Sequence, residues 1–425
     1  MRRAARLAAM GLALGAAACT EHLAAPGLCP TYCPAGSLTV VDTVPRTAIT
    51  RDSAYGRPIG YANAYSAVYL LGETLPGIRD SRPILRFPPI GTRTLISISD
   101  TTTGAVIGVD SLYLFLTIPQ RDTATHDLTL ALYQLPHDID STTTFADLTA
   151  SFSGSPVHTV NVDNLLAKPG HKDPVTGDSV FVDSLSPRIT VAVKLDSADA
   201  PYAAADSGTL AFGVRVSADA LAHVAIAASE FSGLGPRVNW YVKYDSLGTV
   251  AHKLIPISIA GNLGFDSFVF DPPAPPLDGT LVVGGVPAAR SVLRVALPRA
   301  IRDSATIVRA TLELIPAALP QGIAADSFDL VAHAVFADFG AKSPIDGTRV
   351  DTVSIHIGPI DTVRIEVTNI LRFWAADTLI ATTLVLRQAP EGADLAEIRF
   401  YPSSDPARRP LLRITYTPHY PFGRP

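Results

Sequence analysis

Two stretches of the sequence, Pro83-Ile84-Leu85-Arg86-Phe87 and Ser291-Val292-Leu293-Arg294-Val295, each place a Leu-Arg pair inside an apolar run. The segments that follow the two stretches also match one another and keep the same order. They are residues 110–116, 127–133, 189–193, 208–214, 222–227 and 238–244 in the first half, and residues 310–315, 328–333, 363–367, 379–386, 395–400 and 411–416 in the second. Alternation of apolar and polar residues is typical of strands with one buried face. The sequence therefore predicts a duplicated all-β protein.

Composition supports this interpretation. A chain of 425 residues is longer than one ordinary domain, which favours two. Hydrophobic residues make up 47% and charged residues 17%, and there are 35 prolines against two methionines. Proline is tolerated in turns and edge strands but not inside helices. The formal charge of −5 argues against a nucleic-acid partner, which would require a basic surface.

The domain boundaries follow from the repeat. The first β domain is predicted at residues 38–260, with a loop-rich insertion near residues 145–187, and the second at residues 261–418, followed by a tail at residues 419–425. Residues 266–270 are interpreted as the opening strand of the second domain. Residues 368–376 are the best helix candidate, with Thr368 or Asn369 as the cap and with Ile370 and Trp374 buried.

The N-terminus has the pattern of an export signal at residues 1–18. Arginines precede an apolar stretch at residues 7–14, and three alanines at residues 16–18 precede Cys19. This arrangement resembles a bacterial lipoprotein signal, which implies lipidation of Cys19 and a membrane-anchored lipoprotein on the periplasmic face or at the cell surface. An ordinary secretory signal, cut near Ala18 or Ala25, is the alternative and would give a secreted protein. The lipid anchor is the only membrane attachment predicted.

Residues 19–37 lack periodicity and contain several prolines and glycines, which indicates a tether. If Cys19 carries lipid, Cys29 and Cys33 remain as an even pair. They are predicted to form a disulfide in an oxidising compartment, with two reduced thiols as the alternative.

The second half resembles the DNRLRE domain, a family of bacterial extracellular and cell-wall proteins related to alginate-binding carbohydrate modules. The resemblance covers residues 264–418. It depends on four segments, residues 266–269, residues 291–298 followed by 310–314, residues 365–374, and residues 398–405 with 409–416. The first half keeps residues 85–87 and 236–241 but has no counterpart of residues 365–374. The resemblance implies two tandem jelly-roll-like antiparallel β-sandwich domains with a role in surface attachment or glycan contact.

Several residues are candidates for structural or binding roles. Arg86 and Arg294 lie inside apolar strands, where a charge is costly unless it is paired, so a structural role and a carboxylate partner on a neighbouring strand are predicted for both. Trp374 is predicted to be structural. Trp240 and Tyr241 are candidates for aromatic platforms that contact sugar rings, with burial in the core as the alternative.

No catalytic motif is found, whether a Gly-x-Ser-x-Gly elbow, a His-Glu-x-x-His metal site, a phosphate loop or a dinucleotide fingerprint. No metal site and no cofactor are predicted, and structural calcium and the oligomeric state are left open. The leading hypothesis is an exported, lipid-anchored, non-catalytic protein that binds polysaccharide or another envelope component. A structural or protein-interaction spacer of the envelope is the second, and a polysaccharide-processing enzyme is the third.

Overall fold

Antiparallel sheets account for most of the chain in the computed structural model, with 51% strand and 8% helix, so the all-β sandwich prediction is confirmed. The structure describes residues 39–56, 69–75, 79–97, 101–231, 233–259, 263–271, 278–286, 288–323, 327–377, 379–392 and 395–419. The predicted signal, the lipidation site Cys19 and the Cys29–Cys33 pair lie outside the described residues.

The strands and helices of the described residues are named in chain order. The strands are β1 (Val41–Thr43), β2 (Ile49–Tyr55), β3 (Tyr69–Leu75), β4 (Arg79–Phe87), β5 (Arg93–Leu95), β6 (Thr103–Ile118), β7 (Gln120–Arg121), β8 (Thr129–Gln134), β9 (His158–Asn161), β10 (Ser179–Val182), β11 (Ile189–Asp196), β12 (Leu210–Ser217), β13 (His223–Ala227), β14 (Arg237–Ser246), β15 (Thr249–Ser258), β16 (Phe265–Asp271), β17 (Leu281–Gly284), β18 (Arg290–Val295), β19 (Ala305–Leu314), β20 (Ser327–Val335), β21 (Ile345–His356), β22 (Val363–Glu366), β23 (Thr383–Ala389), β24 (Glu397–Phe400) and β25 (Leu411–Pro418). The helices are α1 (Thr149–Ser153), α2 (Val162–Leu166), α3 (Arg299–Arg302) and α4 (Thr368–Ala376).

The first sandwich packs a six-stranded sheet against an eight-stranded sheet. The six-stranded sheet has the order β10-β11-β6-β14-β15 with β5 beside β6, and the eight-stranded sheet has the order β7-β13-β3-β4-β12-β8-β9 with β16 beside β4. Leu112, Leu114 and Leu116 of β6 and Trp240 of β14 are fully buried between the sheets. Because side chains alternate along a strand, the residues between them point outward.

The second sandwich repeats this arrangement. A four-stranded sheet with the order β1-β25-β19-β22 faces a five-stranded sheet with the order β2-β18-β23-β20-β21, and β17 pairs with β24. The neighbours β11-β6-β14 of the first sandwich correspond to β22-β19-β25 of the second, and β4-β12-β8 correspond to β18-β23-β20. The sequence duplication is therefore also a duplication of strand order.

Three of the described strands pair with the sandwich of the other half. Strand β2, from the first predicted domain, pairs with β18, and β16, the predicted opening strand of the second domain, pairs with β4. The register is the same in both pairs, because Asp52 lies opposite Leu293 and Asp266 lies opposite Leu85. Strand β1 also joins the second sandwich through β25. The pairing thus differs from the predicted boundary at residues 260/261, since each half supplies a strand to the sandwich of the other.

Matching hydrogen bonds hold the exchanged strands. The Asp52 carboxylate accepts the backbone N–H of Ser403 at 2.5 Å, and the Asp266 carboxylate accepts the backbone N–H of Ser229 at 2.6 Å. Burial raises the pKa of Asp266, although its hydrogen bonds with Ser229 act in the opposite direction. Asp52 and Asp266 therefore hold the two exchanged strands from equivalent positions.

The two sandwiches also share a buried contact. Leu71 and Ala225 of the first sandwich belong to one apolar cluster with Ile323 and Leu395 of the second. The buried Glu73 beside this cluster accepts a hydrogen bond from the Leu395 N–H at 3.1 Å and lies 2.5 Å from His223 Nδ1. Apolar burial and strand exchange both join the halves, so we expect unfolding of one half to lower the stability of the other.

The predicted loop-rich insertion contains regular structure. Strand β9 extends the eight-stranded sheet beside β8, and β10 extends the six-stranded sheet beside β11. Helix α1 packs Phe152 on the outer face of the eight-stranded sheet. The insertion therefore adds a strand to each sheet of the first sandwich. The prediction of a loop-rich segment missed these strands because the apolar runs in the insertion are short.

Helix α4 occupies the predicted residues, and Ile370 and Trp374 are fully buried as expected. The predicted cap is wrong, because Val367 is the N-cap and no side chain caps the helix. The Thr368 hydroxyl instead accepts the N–H of Ala310 at 2.7 Å, which ties the helix to β19.

A polar network lies on the outer face of the five-stranded sheet. The buried His333 accepts a hydrogen bond at Nε2 from Arg387 Nε at 2.9 Å and donates from Nδ1 to the Asp346 carbonyl at 3.1 Å. Burial lowers the pKa of His333, and the nearby Arg387 and Arg290 lower it further, whereas Glu391 and the bond to Asp346 oppose the shift. A proton on Nε2 would face the guanidinium N–H, so the folded state holds neutral histidine.

We expect the second sandwich to lose stability as the pH falls from 7 to 5. The unfolded chain binds a proton on His333 near its ordinary pKa of about 6.5, whereas the folded chain resists it, so unfolding takes up a proton in this range. The expected effect is about 1 kcal/mol. Urea unfolding of the W240F protein, followed through Trp374, measures it at each pH. The H333Q variant should have a smaller difference between pH 7 and 5; an equal difference would contradict the assignment.

Candidate functional site

The outer face of the six-stranded sheet carries a row of aromatic side chains, of which Tyr241 is exposed and Tyr113 and Phe115 are half-buried. Phe115 and Tyr113 of β6 lie next to Tyr241 of β14, and these three residues are called the aromatic strip. The ring centroids of Tyr113 lie 6.4 Å from Phe115 and 6.1 Å from Tyr241. Tyr241 is 41% exposed and faces Leu254 of β15, which is 44% exposed. The strip thus presents a partly exposed aromatic surface on one face of the sheet.

Cations surround the aromatic strip. Lys172 Nζ donates to the Tyr113 hydroxyl at 3.1 Å, and the Arg237 guanidinium lies 4.6 Å from the Phe115 ring centroid. The hydrogen bond from Lys172 to Tyr113 raises the pKa of Lys172, so this amine is charged at neutral pH. Lys194 lies opposite Tyr113 on the neighbouring strand β11.

Three carboxylates of the described strands, those of Asp110, Asp196 and Asp245, lie on the same face. Asp110 is paired with Lys243 at 2.6 Å, and Asp196 is paired with Lys194 at 3.2 Å. The hydrogen bond from Lys243, helped by one from His252, lowers the pKa of Asp110. With Lys172 and Arg237 added, the cations of this face exceed its carboxylates, although the whole chain is acidic. The face therefore suits a ligand that combines flat apolar surfaces with negative charge.

The equivalent face of the second sandwich has a different chemistry. Glu313 of β19 occupies the position of Tyr113, and Arg413 of β25 occupies the position of Tyr241. Arg413 Nη1 pairs with Asp42 at 3.0 Å, and Arg364 pairs with Glu313 at 3.4 Å. A shallow depression on this face is lined by Asp42, Arg309, Thr311, Glu313, Arg364, Arg413 and Thr415. The duplicated sheets thus differ at the positions that carry the aromatic strip.

The structure separates the two aromatic candidates from the sequence. Trp240 is fully buried in the core of the first sandwich, so a contact with ligand is wrong for this residue, whereas its neighbour Tyr241 points outward. Adjacent residues of a strand face opposite sides, so one of the two had to be buried. Trp374 is fully buried in the core of the second sandwich.

The two strand arginines make different contacts. Arg294 forms a bidentate pair with Asp338, at 2.5 Å from Nε and 2.9 Å from Nη2, and this partner lies in the loop after β20. Arg86 donates to the carbonyl of Ile139 at 2.7 Å and lies 5.9 Å from the Phe265 ring centroid. The contacts are structural in both cases, but neither partner is a carboxylate on an adjacent strand.

The sequence reasoning missed Tyr113 and Phe115. The signal was present, because residues 112–116 alternate three leucines with these two aromatics. Leucines on one face predict that Tyr113 and Phe115 lie on the other. The proximity of Tyr241 could not be read in the same way, because it depends on the pairing of β6 with β14.

Two described carboxylates near one another, Glu230 and Asp266, have raised pKa values. Burial and the charge of Asp266 raise the pKa of Glu230, and the pKa of Asp266 is itself raised. Asp266 is held by Ser229 in the way that Asp52 is held by Ser403, so the repeat assigns it a role in strand exchange. The raised pKa values of Glu230 and Asp266 therefore do not favour a catalytic role over a structural one.

The described residues contain no group of three or more histidine, aspartate or glutamate side chains with the geometry of a metal site. Asp173 accepts the N–H groups of Val175 and Thr176, and Asp178 pairs with His158 at 2.9 Å. The loop around His171 thus uses its carboxylates for its own structure. Within the described ranges, no helix has the length and apolar content needed to cross a bilayer.

Comparison with protein-family models found no match, and comparison with curated proteins found none. The resemblance of residues 264–418 to the DNRLRE domain therefore stays a prediction.

Proposed function

We propose that this protein is exported, is held at a membrane by lipid on Cys19, and binds an anionic polysaccharide through the aromatic strip without catalysing a reaction. The observation that carries the proposal is the outward alignment of Phe115, Tyr113 and Tyr241 on one sheet. Sugar rings present flat C–H faces that pack on aromatic rings, and uronate or sulfate groups would pair with Lys172 and Arg237. Export places such a surface where polysaccharide occurs.

Binding by full-length protein to immobilised polysaccharide tests the proposal. Alginate and polygalacturonate are the anionic probes, and dextran is the neutral probe. We expect Y113A and Y241A each to weaken binding to an anionic probe by about tenfold, since an aromatic contact contributes roughly 1 kcal/mol beyond its area. Higher salt should weaken wild-type binding because the flanking cations are exposed.

The second sandwich supplies matched controls. E313A and R413A change the positions equivalent to Tyr113 and Tyr241, and we expect both to retain wild-type binding. Loss of binding in these variants but not in Y113A or Y241A would move the site to the second sandwich. Absence of binding to all three probes would refute the proposal and favour the envelope spacer, which needs no ligand surface.

The enzyme alternative makes a separate prediction. A polysaccharide-processing enzyme would release reducing ends from the anionic probes, and replacement of its carboxylates would abolish the release. The proposed binding protein should leave the chain length of each probe unchanged.

A further inference from the structure

Exposed apolar side chains concentrate at one end of the second sandwich. Phe336 (55% exposed) and Phe339 (69% exposed) follow the C-terminal end of β20, and Leu379 (94% exposed) precedes β23. Val308 near the start of β19 is 47% exposed. These four side chains and Phe373 of α4 are called the apolar end. Large apolar side chains that lie close together on a protein surface are uncommon and mark an interaction site.

Contacts connect the members of the apolar end. The rings of Phe336 and Phe373 meet edge to face with centroids 6.5 Å apart. Arg372 of α4 donates to the carbonyls of Ile307 and Val308 at 2.9 and 3.1 Å. Helix α4 therefore links the Phe336 loop to the start of β19, and the apolar side chains share one end of the sandwich.

The N-terminal chain joins the sandwich at this end. Val41, the first residue of β1, lies opposite Tyr416 of β25, and Tyr416 lies opposite Ile307 of β19. Val40, which is 58% exposed, precedes it. Residues 20–38 between Cys19 and the described chain span at most about 65 Å. A lipid on Cys19 would thus hold this end close to a bilayer at a high effective concentration.

Arginines border the apolar end. The Arg349 guanidinium lies 4.0 Å from the Phe373 ring centroid and also pairs with Asp346. Arg349 and Arg372 line a common groove with Phe373. Arg372 is bonded to carbonyl oxygens, so its positive charge remains available to an anion. Apolar side chains with arginines at their border match the depth profile of a lipid interface, where acyl chains lie beneath anionic headgroups.

We propose that the apolar end is a membrane-contact surface, in which Phe336, Phe339 and Leu379 enter the acyl boundary of a bilayer while Arg349 and Arg372 meet the headgroups. This proposal deepens the proposed anchoring, on which its biological setting rests. It adds a protein surface to the lipid attachment, so that two separate parts of the chain would contact the bilayer. The contact would fix the orientation of the sandwiches above the membrane.

Tryptophan reporters test the contact directly. The two natural tryptophans, Trp240 and Trp374, are fully buried, so an added tryptophan on the surface gives a separate signal. The F339W variant places one in the apolar end, and L319W places one at the opposite end, between β19 and β20, where Leu319 is 62% exposed. A His tag fused before residue 20 and a nickel-chelating lipid supply the anchor, so the test is independent of natural lipidation.

Vesicles of phosphatidylethanolamine and phosphatidylglycerol with brominated acyl chains quench tryptophan that enters the bilayer. We expect the added fluorescence of F339W to fall by about half, because interfacial side chains reach roughly 5–10 Å into the boundary, and that of L319W to stay unchanged. The F339W signal should recover when F336S and L379S are added. Equal fluorescence of F339W with brominated and unbrominated lipid would overturn the proposal, as would equal quenching of L319W.

Natural anchoring is measured separately, by mass analysis of Cys19 and by the membrane fraction of C19A cells. An unlipidated Cys19 would refute the anchoring part of the proposed function and leave the vesicle result intact. An unquenched F339W protein would refute the contact surface and leave anchoring intact.

Discussion

Deleting residues 39–56 should unfold the second sandwich, whose other strands begin more than two hundred residues later in the chain. The deletion removes β1 and β2, and with them the hydrogen bonds along β18 and the buried side chains of Ala48 and Ile49. Backbone hydrogen bonds contribute about 1 kcal/mol each, and a buried isoleucine contributes roughly 2 kcal/mol. Together these losses exceed about 5 kcal/mol, which is comparable to the total stability of a domain.

One tryptophan in each sandwich makes the deletion measurable. In a W240F background, the deletion should shift the emission of Trp374 to the value of the unfolded protein. In a W374F background, Trp240 should keep its native emission, with a lower midpoint because the shared apolar cluster becomes exposed. A chain that begins at Thr39 is the control and should match the full-length protein. Native Trp374 emission after the deletion would show that the second sandwich does not depend on β2.

Breaking the buried ion pair of Arg290 and Glu391 should have the largest effect of any single substitution considered. The Arg290 side chain is 6% exposed and that of Glu391 is 5% exposed, and they meet through two hydrogen bonds of 2.5 and 2.6 Å. The E391Q variant removes the carboxylate charge that pairs with Arg290 and that also lies 3.6 Å from Arg387 Nη1. We expect the free energy of unfolding to fall by about 3–5 kcal/mol. Urea unfolding followed through Trp374 in a W240F background measures the loss.

Two comparisons show whether the loss comes from an uncompensated charge. The double variant R290M/E391L removes both charges of this pair and should lose less stability than E391Q, although Arg387, whose Nη1 lies 3.6 Å from the Glu391 carboxylate, still loses that partner. The D338N variant breaks the Arg294 pair, which is more exposed, and should cost about 1 kcal/mol. A loss below that of D338N in the E391Q protein would contradict the prediction.

The arginines illustrate how far the repeat could be read. Arg86 and Arg294 were recognised from the Leu-Arg pairs, yet the more buried arginines are Arg82 and Arg290, which occupy equivalent positions four residues earlier. Arg82 pairs with Asp80 at 2.6 Å and lies 4.6 Å from the Phe152 ring centroid. The spacing was visible, but Phe152 of α1 and Glu391 in the loop after β23 are brought to these arginines only by the tertiary structure.

The candidate site could also be predicted only in part from the sequence. The sequence identified Tyr241 as a platform candidate and contained the alternation that places Tyr113 and Phe115 outward. It did not bring these residues together, because neighbours across a sheet are chosen by strand pairing. The surplus of cations beside the strip also depends on the tertiary structure. It brings Lys172, from a loop of the insertion, and Arg237, from β14, to the same aromatic side chains.

The sequence by itself determined that the chain is all-β, that its two halves repeat, and which face of many strands is buried. These are consequences of side-chain order along a strand, and that order is local. The tertiary structure alone decided which sandwich receives β2 and β16. Both strands carry an Asp-Ser pair, and both dock beside a Leu-Arg strand through backbone hydrogen bonds. Backbone groups are the same in every residue, so local sequence could not distinguish the exchanged pairing from the sequential one.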